Sequence, residues 1–133
     1  MMTADRTAYG RVRHTPLADG RHLYSAPGGT SVHRQPTRPD GTAMLRASGE
    51  FDLESVGCLR QALTDARNAG GTRVLLDLSG IAFGDSSFLH TLVTARNGPG
   101  RLVLVGPLPD HLRRLFDLTG TTRLFDFAEN GTT

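Results

Sequence analysis

Two short apolar runs, "RVLLDL" (73–78) and "RLVLVG" (101–106), stand on either side of a segment with helical spacing. Runs of this length and continuity fit strands covered on both faces or set in the middle of a sheet. Two such strands joined by a helix lie parallel, linked by a right-handed crossover. The connection fits: Leu89, Leu92, Val93 and Arg96 follow helical spacing after Asp85-Ser86, and "NGPG" stops the pattern with Gly and Pro.

The flanking segments extend the alternation. "TSVHR" (30–34) and "TAMLRAS" (42–48) bracket "QPTRPDG", whose Asp40-Gly41 is a hairpin-turn signal, so they read as an antiparallel pair. Leu53, Val56, Leu59, Leu63 and Ala66 share one helical face, with Asp52 as N-cap and Gly70-Gly71 as the stop. "LPDHLRRLFDLTG" predicts a third helix leaving through a left-handed Gly120, and "RLFDF" (123–127) a last strand. The fold class is therefore α/β: a mixed sheet of about five strands, antiparallel at its first edge and otherwise mainly parallel, with crossover helices.

The 133 residues, 38% of them hydrophobic, suffice for one core. Residues 1–30, rich in Gly, Pro, Thr and Arg, show no apolar repeat and read as a disordered tail; residues 31–133 form the domain. Fifteen basic residues oppose thirteen acidic ones, and every basic residue is Arg. The positive excess lies before Gly41, leaving the domain close to neutral with no basic face for nucleic acid. Cys58 is alone, so no internal disulfide or cysteine-pair zinc site is expected, and its helical setting reads as burial. No apolar segment suggests a signal peptide or a membrane span, and a cytoplasmic location is expected.

Three chemistries compete for "FGDSS" (83–87) and the loops. The Gly-Asp-Ser block superficially matches a serine esterase with Ser86 as nucleophile, but His22 alone has an Asp three residues before it, and His22 precedes the block. "SAPGGTS" and "NGPGR" lack the Lys that completes a nucleotide loop. His111 beside Asp110 reads as an exposed capping turn rather than a metal ligand. The plainest reading of Asp85-Ser86-Ser87 is a helix start, in which Asp85 accepts from free backbone N–H groups.

Three separated motifs carry a resemblance. "VLLDLSGIAFGDSSFLHTLVTA", "GRLVLVGPLPDHLRRLFDLTGTTRLFDF" and "ASGEFDLESVGCLRQAL" are similar, in order and over about residues 31–127, to the bacterial anti-sigma factor antagonists, which share the STAS domain with sulfate transporters. The resemblance implies a STAS fold and a non-catalytic binding protein without cofactor or metal. Its partner would be an anti-sigma factor with serine kinase activity, which releases its sigma factor on binding. That kinase would phosphorylate the first Ser of the family's Asp-Ser-Ser-Gly motif, here Ser86, and a phosphatase would reverse the mark. Asp85, Ser87 and Phe88 would flank the phosphosite, and Glu50 and Asp52 of "GEFD" would be partner contacts. A STAS small-ligand sensor or scaffold module without phosphorylation is the alternative.

The chemistry suits such a switch. A phosphate on Ser86 adds roughly −1.5 to −2 charges, which a helix N-terminus tolerates. Inside a docked surface beside Asp85 the same charge meets repulsion and a desolvation cost. The chain departs from the family in two places. Phe88 replaces the motif's Gly, so its ring either fills the core or projects outward and alters kinase docking. "AENGTT" follows the last strand where relatives add a helix, a loss that would leave apolar surface for a partner or a second copy.

Overall fold

Seven strands hydrogen-bond in the order in which they occur along the chain, β1 to β7, in a computed structural model that describes residues 12–129. They are β1 (Arg13–Pro16), β2 (His22–Ala26), β3 (Thr30–Arg34), β4 (Thr42–Phe51), β5 (Arg73–Gly84), β6 (Arg101–Gly106) and β7 (Asp126–Glu129). Helices α1 (Gly57–Asn68), α2 (Ser86–Asn97) and α3 (Asp110–Thr119) are the crossovers, and a single 3₁₀ turn (Thr122–Leu124) precedes β7. Strands β1 to β4 pair antiparallel and β4 to β7 parallel. The mixed α/β sheet is as expected, but it has seven strands rather than five.

The two additional strands, β1 and β2, fall in the segment expected to be a tail, and the structure overturns that expectation for residues 12–29. Residues 1–11 and 130–133 lie outside the described residues, and the expected loss of a final helix falls there with them. The N-terminal strands escaped notice because β1 is exposed throughout and β2 buries only Tyr24 and Ala26, too little for an apolar alternation. What anchors them is polar. The Tyr24 hydroxyl donates to Asp65 Oδ2 at 2.8 Å on α1 and accepts from Arg34 Nε at 3.1 Å on β3. Tyr24 is fully buried and Arg34 is 6% exposed, so this three-element junction replaces a wholly apolar contact. Gly28 and Gly29, at φ 91° and 86°, make the β2–β3 turn in a conformation that other residues rarely adopt.

All three helices contribute to one core on a single face of the sheet, where Leu45, Leu59, Leu76, Leu92, Leu104, Leu112 and Phe116 are buried together. Fully burying a side chain of this size stabilises by about 1.5–3 kcal/mol. A smaller cluster, Leu75, Val103 and Val105 with Met44 and Ala128, contains only strand residues. Val74, Leu75 and Leu76 are thus buried in succession, which is why "RVLLDL" reads as continuously apolar.

Helix α1 begins at Gly57, later than the periodicity predicts. Asp52 Oδ1 accepts at 3.0 Å from the backbone N–H groups of Glu54 and Ser55 and from the Ser55 hydroxyl, making a turn of its own before the helix. Leu53, counted in the helical face, is accordingly 58% exposed. Helix α3 does end at Gly120 with φ 71°. Cys58 is buried and donates to the Ser55 carbonyl at 3.3 Å, and burial pushes its thiol up to about 12. Among the described residues no helix is long and apolar enough to cross a membrane.

Candidate functional site

Strands β4 and β5 run out together, with Glu50 opposite Phe83 and Phe51 opposite Gly84. β5 then passes directly into α2. The Asp85 N–H bonds the Phe51 carbonyl at 3.2 Å, which fixes where the sheet ends and the helix starts. Asp85 is extended, at φ −109° and ψ −164°, and its Oδ1 accepts from the N–H groups of Ser87 at 2.8 Å and Phe88 at 3.2 Å. It is the N-cap that the sequence predicts, satisfying two of the helix's orphan donors.

The three residues after it separate by depth. Ser86, the first helical residue, is exposed. Ser87 is half-buried, and its carbonyl accepts from the hydroxyl of buried Thr91 at 3.0 Å. Phe88 is fully buried, its ring centroid 5.8 Å from that of Phe51. Of the two orientations open to Phe88, the structure shows the inward one. Phe88 therefore offers a partner no surface, and its expected place among the contacts is corrected to one in the core, packed on Phe51 and Gly84.

Glu50 and Asp52 are both exposed at the same end of the sheet. Their loop is tied down, because the Glu50 carbonyl accepts from the hydroxyls of Thr30 and Ser55 at 2.5 and 2.9 Å. The Ser55 hydroxyl bond, with further N–H bonds to the same carboxylate, holds Asp52 below the usual carboxylate range. Glu54 is exposed beside it. Sequence reasoning missed two apolar side chains here, Leu53 and Phe83, the latter 47% exposed. The sequence ends this strand at Leu78, whereas β5 runs on to Gly84, so Phe83 was not read as a strand residue, and register decides which face it takes.

A groove of about 1050 Å³ opens between α1 and α2. Ser86, Ser87, His90 and Thr94 line it from α2, and Arg60 and Arg67 from α1, with Leu53 at its rim. Arg67 bonds the Ala95 carbonyl at 2.7 Å and so ties the two helices together. His22, the histidine weighed for an esterase, sits instead on β2, its Nδ1 2.8 Å from Nε2 of His14 on β1. Among the described residues no three His, Cys, Asp or Glu side chains are placed to hold a metal ion.

Comparison with known proteins agrees with this geometry. Residues 35–126 match the family model described as "Mlab, STAS domain". The anti-sigma-B factor antagonist of Staphylococcus aureus (strain NCTC 8325 / PS 47) is 26% identical over 103 residues, covering 74% of this chain and 94% of the relative. Among solved structures, an anti-sigma factor antagonist from Mycobacterium paratuberculosis superposes with a TM-score of 0.64 at 27% identity, covering 77% of this chain and 88% of that one. The Bacillus cell fate determinant SpoIIAA in its phosphorylated form shares the fold, with a TM-score of 0.57 at 21% identity over 74% of this chain and 92% of that one. With its family model spanning more than half of the chain, and both the S. aureus and the M. paratuberculosis relatives being anti-sigma factor antagonists, the chain belongs to the STAS-domain family.

Proposed function

We propose that this protein is a cytoplasmic bacterial anti-sigma factor antagonist: it binds an anti-sigma factor with serine kinase activity, frees the sigma factor, and is switched off by phosphorylation of Ser86. A phosphatase restores it. The observation that carries this reading is the exposed Ser86 at the first position of α2, directly after a capping Asp85 and beside exposed Leu53, Phe83, Glu50 and Asp52. Two apolar anchors within an acidic rim suit a partner with an apolar pocket in a basic face. A phosphate there leaves the fold intact, because the helix start accepts negative charge. It opposes docking, because it adds charge to a rim that is already acidic.

The test is incubation with the host's candidate anti-sigma kinases and ATP, followed by mass mapping and binding measurements. One phosphate on Ser86 and at least a hundredfold weaker binding, ~2.7 kcal/mol, is the expected result. No phosphate on Ser86, together with wild-type affinity in Ser86→Asp, overturns the reading. That outcome would favour the other reading, a ligand-sensing module, which the groove between α1 and α2 supports.

A further inference from the structure

We propose that His14 on β1 and His22 on β2 form a two-imidazole chelating site for a divalent transition metal that prefers tetragonal coordination, copper(II) or nickel(II). The two rings come from neighbouring antiparallel strands, Pro16 pairing with His22 and His14 with Tyr24. They therefore stand on one face of the sheet, diagonally across the strand pair. Nε2 of His14 lies 2.8 Å from Nδ1 of His22, and the ring centroids are 5.0 Å apart. Imidazole suits zinc, copper and nickel alike, so spacing decides between them. Two bonds of about 2.0 Å at a right angle hold their nitrogens about 2.8 Å apart, whereas a tetrahedral zinc holds them about 3.3 Å apart.

The pair is held in place by the fold around it. The hairpin between the strands is closed by the bond from the Leu17 N–H to the Arg21 carbonyl at 2.8 Å and by that from the Gly20 N–H to the Leu17 carbonyl at 3.1 Å. The His14 ring stacks on the Tyr24 ring at 4.4 Å, with 8° between their planes. Tyr24 is in turn fixed by Asp65 of α1 and Arg34 of β3, which bring opposite charges to the inner side of the pair. At the turn, Arg21 is paired with Asp19. His33 lies opposite Leu23, so alternation sends it to the other face of the sheet. His14 is exposed and His22 half-buried, which leaves the outer side open for water molecules that complete the coordination.

Binding involves no net proton loss from the neutral pair. A neutral imidazole carries one N–H, and the hydrogen between the facing nitrogens sits on one of them. On binding, that proton leaves to water while the far nitrogen of the same ring takes one up, so both facing nitrogens present lone pairs to the metal. His14, exposed on β1, has room to turn until the lone pairs meet at one centre. The metal then clamps an edge strand that is exposed throughout and is bonded in the sheet to β2 alone. An unfolded chain does not hold the two rings together, so the metal favours the folded hairpin.

The experiment titrates copper(II) chloride into the full chain at slightly alkaline pH, followed by calorimetry, electron paramagnetic resonance and amide NMR. One copper ion per chain is expected, with coupling to two imidazole nitrogens and line broadening centred on β1 and β2. His14→Gln and His22→Gln should each weaken binding at least about tenfold. The double variant should be little weaker than either single one, because one lost ligand already breaks the chelate. His14→Gln falls on an exposed position, and an unchanged amide spectrum shows that each variant is folded. Equal copper affinity in wild type and the single variants, an adventitious ion only, overturns the proposal. So do losses that add up in the double variant, which mark two separate sites. A wild-type resonance showing a single bound nitrogen overturns it without any variant.

Discussion

Phe88 and Gly84 fill one another's space: a Cβ on Gly84 would stand 2.6 Å from Cδ2 of the Phe88 ring. The ring therefore lies directly on the end of β5, under the first turn of α2. Gly84→Ala is expected to destabilise by about 1–3 kcal/mol through overpacking, and Phe88→Ala by about 3–5 kcal/mol through loss of a buried ring. Because the first clash needs the second residue, the double variant should fall short of the sum by about 0.5–3 kcal/mol. Urea unfolding of the four proteins measures this, and strict additivity would show that the contact is not felt.

Asp85 contributes through its carboxylate to the N–H groups of Ser87 and Phe88. Asp85→Ala should cost about 1 kcal/mol and speed amide hydrogen exchange at those two residues. Asp85→Asn keeps an acceptor oxygen and should stay close to wild type. Equal losses in both variants would sink the capping account.

Tyr24→Phe removes a hydroxyl that serves Asp65 and Arg34 together, and should cost about 1–3 kcal/mol. Burial pushes the Tyr24 phenol up to about 12. The native phenol thus holds its proton where the unfolded one has lost it, so stability present below pH ~10 declines as the pH climbs toward 12. Alkaline denaturation of wild type against Tyr24→Phe isolates the effect, since the variant should lose less stability over that range.

His22 behaves in the opposite sense. Burial, then the charges of Arg34 and His14, push its imidazole below the ordinary 6.5, and Asp65 offsets them only in part. The unfolded chain then takes up a proton before the native one does, so stability is full above pH ~6.5 and declines as the pH falls below it. The bond to His14 also requires that one of the two rings be uncharged. Melting temperatures between pH 7.5 and 5 should fall less for His22→Gln than for wild type, and parallel curves would exclude the histidine pair as the cause.

Strand β6 and the glycine exit of α3 were legible to the residue, because a continuous apolar run and a left-handed Gly are local signals. Strands β1 and β2 were not, because Tyr24, Arg34 and Asp65 come from distant parts of the chain and only folding shows that they meet. The start of α1 slipped because an aspartate that caps a turn looks the same in sequence as one that caps a helix. At the candidate site, Asp85 and exposed Ser86 could be read from the helix-start pattern. The depth of Phe88 could not, since its direction depends on a bare Gly84 left beneath it. Arg60 escaped notice because nothing in its own helix marks the wall it shares with α2.

The sequential order of the sheet has a kinetic meaning. Each strand docks against the one made immediately before it; the antiparallel pairs need only a turn, whereas the parallel pairs wait for a crossover helix, as Thr42 waits for Arg73, and are the slower to form. A chain leaving the ribosome can extend its sheet strand by strand from the amino end. Ser86 emerges just after β5, whose own neighbour β4 is already available. The surface around Ser86 thus draws on β4, β5, α1 and α2, all of them synthesised before the last two strands.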